Sequence, residues 1–361
     1  MDHQRARRRV LVALAATLCA GTAAGQSSVT IYGQADMFVG AVRAPGTSSR
    51  AFVADSGGMQ TSYWGIKGAE DLGGGLRTVF DLNGFYRTDG GRTGRFDGDA
   101  MFSRNAYVGL ESDKAGSLKI GRTTAPYFIS TILFNPLVDS FVFAPAVFHT
   151  YLGAGNAQVL DPGIIGDSGW NNSLLYSSPG FGGLTFNVIY GLGEKAGDAS
   201  QHKWGGNVMY FSGAFAATLA FQQVKFDSTP GDIANASNPF LAGFRKQTAV
   251  QGGLSYDFGV AKLFAQVQYI RTDVNNNPNG DIRHSNGQVG ASVPVGAGSL
   301  LVSYAHGRTE NAQNGFRRNT AAVSYDYNLS RRTDVYLAYF YDRIQGLSHG
   351  DTFGAGVRHR F

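Results

Sequence analysis

Residues grouped so that they could make or break bonds are scarce in this 361-residue chain. Gly166-Asp-Ser-Gly169 has the look of a serine nucleophile segment, but a working nucleophile needs a His base oriented by a carboxylate, and no motif supplies them. Asp273–Asp281 begins like a calcium loop; Pro278 stands where the sharp turn needs Gly, and His284 where a bidentate Glu belongs. The seven His show no metal-ligand spacing. No catalysis, metal or cofactor is therefore expected. What remains is electrostatics: charges set on one face of alternating segments. Lys67 shares a face with Tyr63, against Trp64 and Ile66. Arg77, Asp81 and Asn83 oppose Leu76, Thr78, Phe80 and Leu82, and Asp36 opposes Ile31, Ala35, Met37 and Val39. Charges aligned this way can bias the movement of ions along a wall.

The elements that position them are strands. Period-two alternation recurs at Leu184–Leu192 (even positions apolar), Ala261–Tyr269 (odd positions apolar) and Val323–Leu329. Nine or so residues is the length a tilted strand needs to cross hydrocarbon. The chain ends the same way: Phe353, Ala355, Val357, His359 and Phe361 share one face, and Thr352, Gly354, Gly356, Arg358 and Arg360 the other. One face suits lipid and one water. Lipid cannot satisfy an open sheet edge, so such a wall must close, pairing its last strand with its first near Val29. A Lys facing lipid near midplane costs about 2–4 kcal/mol, which turns Lys67 to the interior.

Composition agrees. Glycine numbers 50, phenylalanine 25 and tyrosine 17, a mixture that favours many strands joined by tight turns. Arg5, Arg7, Arg8 and Arg9 precede an apolar stretch from Val10 to about Ala20, then small residues, with Ala23 and Gly25 placed for cleavage before Gln26. That stretch is too short to span a bilayer. Residues 1–25 are expected to be a cleaved export signal and 26–361 the mature domain. Cys19, the lone cysteine, leaves with the signal, so no disulfide or thiolate chemistry is available. Removing the signal takes four of 31 basic and one of 26 acidic residues, leaving 27 against 25. A nucleic-acid partner loses its electrostatic basis. Beyond the signal no run of about 18 apolar residues exists, so any membrane crossing must use strands.

Connections come in two sizes. Glu70–Gly74, Ser178–Gly182, Asp257–Gly259, Val295–Gly298 and Ser330–Arg332 are short; Asp227–Arg245, Asp273–Ile282 and Thr309–Phe316 are long and polar. Walking the hairpins gives about sixteen antiparallel strands, the even number that closure with both termini on one side requires. One stretch, Thr123–Ser168, breaks the rhythm with Pro126, Pro136, Pro145 and Pro162 and a Phe-rich core at Phe134–Phe148. It is too apolar to be disordered and must pack, which in a barrel means folding inward and narrowing the lumen. Tyr336, Tyr339, Phe340 and Tyr341 are expected in an interfacial aromatic girdle.

These segments resemble the Gram-negative general porins of the beta-proteobacterial branch. The match runs through SVTIYG at 28–33, WGIKGAEDLGGGL at 64–76, RNAYVGL at 104–110, LKIGR at 118–122, NSLLYSSP at 172–179 with FGG at 181–183, LSRRT at 329–333 and the closing RHRF. The resemblance implies an all-β fold, a 16-stranded antiparallel transmembrane barrel with an inward-folded third loop, assembled as a homotrimer among outer-membrane lipids. It also implies passive diffusion of small hydrophilic solutes and ions, and recognition of the last strand, ending at Phe361, by the outer-membrane assembly machinery. Such porins line one constriction wall with arginines facing acidic loop residues. Arg104 holds one of those positions, although its parity with Ala106, Val108 and Leu110 points outward. An inward Arg104 requires those three to lie beneath the folded loop. Tyr63 and Gly169 stand where arginines are usual, so the basic wall is thinned. Asp139 is the best acidic candidate on the loop, with Asp161 and Asp167 near its end. Arg122, at the loop's root, is either a pore charge or a pin holding the loop through a carboxylate or carbonyl. A weakened anion preference follows from this pattern. A substrate-preferring channel, suggested by the apolar loop, is the alternative; a barrel enzyme or a surface adhesin are readings of another class.

Overall fold

The computed structural model describes residues 28–194, 196, 202–225, 244–274 and 279–361. The expected leader lies outside them, as do most of 227–245 and part of 273–282. The first half of the wall is β1 (Ser28–Arg43), β2 in two pieces (Ala51–Ser56 and Tyr63–Gly73), β3 (Leu76–Arg87), β4 (Asn105–Ser112), β5 (Gly116–Thr124), β6 (Gly169–Ser177), β7 (Leu184–Gly191) and β8 (Lys203–Ser212). The second half is β9 (Phe215–Lys225), β10 (Phe244–Asp257), β11 (Lys262–Val274), β12 (Ile282–Val295), β13 (Gly298–Glu310), β14 (Gly315–Asn328), β15 (Thr333–Ile344) and β16 (Gly350–Arg360). Every neighbouring pair is antiparallel. β16 returns to β1 with Gln34 opposite Arg360 and Arg43 opposite Asp351, closing a wall of sixteen strands. Phe361 completes the seam by exchanging backbone hydrogen bonds with Gly33 at 3.0 and 3.1 Å.

Alternation decides which face each side chain takes. On β10 to β16, Val250, Leu254, Val267, Val289, Tyr304, Val323, Leu337, Phe353 and Val357 stand exposed on the outside. Gln247, Gln251, Gln266, Gln268, Gln288, Ser303, Thr320 and Ser324 are buried on the inside. An apolar exterior around a polar interior inverts a soluble sandwich because the outer solvent is hydrocarbon. Among the described residues no helix is long and apolar enough to cross a membrane.

Two expectations change. The connection at Thr309–Phe316 is four residues rather than a long loop, since β13 and β14 stay paired out to Glu310 opposite Gly315. In the girdle, Tyr339 and Tyr341 do face outward, but Tyr336 and Phe340 are buried inside. Even-numbered residues of β15 point inward, and the interior there is covered by an apolar surface that accepts their rings.

Candidate functional site

That surface belongs to the long connection between β5 and β6. It holds two short helices, α1 (Pro126–Leu133) and α2 (Pro145–Tyr151), each with proline at its first turn, where the missing N–H is not needed. Leu137, Phe143, Ala144 and Val147 pack on Phe38, Tyr336, Ala338 and Phe340, and the Phe148 ring lies 4.3 Å from that of Phe340. The polar half of the wall holds the same segment by its backbone. Gln247 donates to the Gly163 carbonyl at 2.9 Å and accepts from Ile165 N at 2.7 Å; Gln266 donates to Phe134 O at 3.1 Å; Asn207 donates to Pro126 O at 2.9 Å. Primary amides suit the task because each offers donor and acceptor together without placing a charge under the loop.

Arginine or histidine side chains take up two of the loop's three carboxylates. Asp161 is buried, 2.7 Å from His284 Nδ1 and accepting from Thr309 at 2.9 Å. Asp167 receives Arg95 through both oxygens (2.7 and 2.8 Å) and Arg122 at 2.9 Å. Burial pushes the Asp167 carboxyl up, but the Arg95 hydrogen bonds and charge, with the Arg122 charge, outweigh it and hold it at about 2. Arg122 also donates to Ser103 O at 2.6 Å and to Asn171 at 2.7 Å. Its contacts have the geometry of a pin at the loop's root, one of the two roles expected of it. Asp139 differs: it accepts from Gln60 Nε2 at 2.6 Å and is acted on by the Arg104 charge, while burial pushes its carboxyl above the ordinary range.

The remaining sequence candidates stand on β1 to β3 and just before β4. Arg104 lies with its guanidinium carbon 4.1 Å above the Tyr63 ring, and Lys67 with its ammonium 4.7 Å above Tyr32. Among the described residues neither cation has a carboxylate within ion-pair distance. Lys67 stands directly opposite Asp81 in the ladder, yet Asp81 is taken by the Tyr32 hydroxyl at 2.6 Å and by Asn83 at 2.8 Å. Arg104 is inward, though not for the expected reason. Val108 and Leu110 are exposed on the outside, and Arg104 precedes the first residue of β4, where strand parity does not apply. Two further sequence candidates are not free pore charges. Asp36 is inward but fully buried, accepting from Met59 N, Gln60 N and the Tyr336 hydroxyl. Arg77 pairs with Asp113 at 3.2 Å beside a short turn.

On β14 to β16 sequence reasoning turned Arg358 and Arg360 inward but missed Arg318, Asp326, Asp334 and Asp342. Arg318 and Asp342 form a buried bidentate pair; Arg358 joins Asp334 and Asp326, and Arg360 joins Asp334. Their shared even parity was a usable signal for the inward direction. Their pairing depends on register.

The Gram-negative porin family model matches residues 11–347. Outer membrane porin protein 32 of Delftia acidovorans is 29% identical over 365 residues, covering 97% of this chain and 95% of the relative. An outer membrane porin protein of Bordetella pertussis is 26% identical over 397 residues, covering 95% of this chain and 96% of the relative. Among solved structures, an anion-selective porin from Comamonas acidovorans superposes with a TM-score of 0.74 at 26% identity, covering 93% of this chain and 100% of that one. With a closed sixteen-strand wall beneath a sequence match spanning nearly its whole length, this chain belongs to the Gram-negative porin family and is a channel of the outer membrane.

Proposed function

We propose that the channel passes small hydrophilic solutes by diffusion, without catalysis, with a modest anion preference set by Arg104 and Lys67. The observation that carries this reading is the imbalance at the constriction. Arg104, without a carboxylate partner among the described residues, acts together with the Arg358 charge on Asp139, whose own charge is disfavoured by burial, and Lys67 is a second cation of the same wall without such a partner. Several other wall charges cancel in pairs, Arg318 with Asp342 and Arg358 with Asp334 and Asp326, and Asp36 and Asp81 are held by neutral donors, which leaves the lumen polar and size-selective. Tyr63 in place of an arginine weakens the preference relative to an arginine-lined wall. The loop's phenylalanines are engaged in packing, so they offer little surface for a substrate slide. In this reading Met1–Gly25 directs export, Phe361 helps the assembly machinery recognise the last strand, and the barrel works as a homotrimer in outer-membrane lipid.

Reversal potentials across planar bilayers in a potassium chloride gradient test it. A unit charge near contact distance is worth about 0.5–1 kcal/mol to a passing ion in screened water. The double variant R104A/K67A should therefore lower the chloride-to-potassium permeability ratio several-fold. Strong anion selectivity in the native protein, or an unmoved reversal potential in the double variant, overturns the reading.

A further inference from the structure

The two pieces of β2 are separated by an extrusion. Ser56 lies opposite Met37 and Tyr63 opposite Gln34, so two residues of β1 face six of its partner, residues 57–62. An insertion of this size bends a strand and re-aims its side chains. Here it is driven into the barrel: Met59 is buried against Phe38, Leu137 and Phe143. Gly57 has φ of +81°, and a side chain at Gly58 would strike the Tyr336 hydroxyl, so glycine is required at both.

One carboxylate organises the extrusion. Asp36 Oδ2 accepts from Met59 N at 3.1 Å and Gln60 N at 2.8 Å, Oδ1 accepts from Tyr336 at 2.6 Å, and the Asp36 carbonyl accepts from Gly57 N at 2.8 Å. The extrusion in turn touches the constriction loop at its tip. Ser140 Oγ donates to Gly58 O at 2.6 Å, and Gln60 donates to Asp139 at 2.6 Å while accepting from Arg358 at 2.9 Å. Asp139 is the loop carboxylate on which the Arg104 charge acts.

We propose that residues 57–62 are the seat on which the loop tip is registered, and that Asp36 is a positioning residue. By holding the seat it sets where Asp139 stands relative to Arg104 and how wide the lumen is. Asp36 acts from beneath the wall lining, without touching the permeating solute.

The test uses single-channel recordings of the full chain carrying D36A, and separately Q60A/S140A, with heat-modifiable gel mobility as the check on folding. Both are expected to raise open-channel conductance roughly 1.5-fold with new rapid current fluctuations. Both should also move the reversal potential toward anions as Asp139 recedes. A folded D36A barrel with native conductance and a quiet trace overturns the proposal. If D36A gives no folded barrel, the same native behaviour in Q60A/S140A overturns it. Conductance and current noise read the tip's position whatever the sign of the native selectivity, so this outcome is separate from that of the charge reading.

Discussion

Replacing Arg318 by Ala should be among the most damaging single changes outside the seam. Its guanidinium donates to Asp342 through Nε at 2.9 Å and Nη2 at 2.7 Å, and its Nη1 reaches the carbonyls of Phe148 and Leu152 at 3.3 and 3.2 Å. Those carbonyls lie at the end of α2, where no intrahelical donor is left for them. Both members of the pair are almost wholly buried, at 7% and 5% side-chain exposure. R318A removes four donors and leaves the Asp342 carboxylate buried without a counter-charge, a situation that costs about 3–5 kcal/mol. R318K keeps the charge but loses the planar fork and should fall between native protein and R318A. The double variant R318A/D342A abolishes the orphaned charge, so it should be more stable than R318A alone. Urea unfolding of the barrel in phospholipid vesicles, followed by tryptophan fluorescence, measures all three. A loss below about 1 kcal/mol for R318A, or a double variant no more stable than R318A, would refute the reasoning that the pair is a buried tie between wall and loop.

Acid should loosen the same helix through His149. Its ring is buried, with Nε2 3.1 Å from Thr320 Oγ1, and burial, followed by the charges of Arg318, His284 and His306, holds its pKa well below the ordinary value. The folded state keeps the ring neutral while the unfolded chain takes a proton below about pH 6.5, so stability is full above that pH and falls as pH drops beneath it. Urea midpoints between neutrality and mild acid should fall for the native protein and fall less for H149Q; parallel slopes would remove His149 from the account. At the seam, F361A keeps the backbone ladder to Gly33 while removing an exposed ring. It should refold in detergent much as the native chain does, yet give less assembled barrel in the outer membrane of cells. Equal losses in both settings would make the ring a packing element instead of a recognition signal.

Much of the architecture could be read along the chain because pleating is local. Side-chain direction repeats every second residue, so Leu184–Leu192, Ala261–Tyr269 and the terminal strand declared their lipid and water faces without reference to any partner. Parity misled where the strand was not yet formed, at Arg104, and it could not say that Tyr336 and Phe340 would meet an apolar loop instead of a membrane interface. The short connection between β13 and β14 was hidden for a related reason: polar residues near strand ends look like loop, although backbone pairing continues through them.

Sequence alone determined that the wall is made of alternating strands, that it closes through the residues ending at Phe361, and that one long apolar connection must find an interior surface. Only tertiary structure decided which charges remain available to a solute. Gln60 meets Asp139 across 79 residues of chain, Arg318 meets Phe148 across 170, and Asp36 meets Tyr336 across 300. A charge becomes a pin or a pore lining according to what lies within hydrogen-bond reach. That depends on register and on where the loop rests, both set by the closed barrel as a whole.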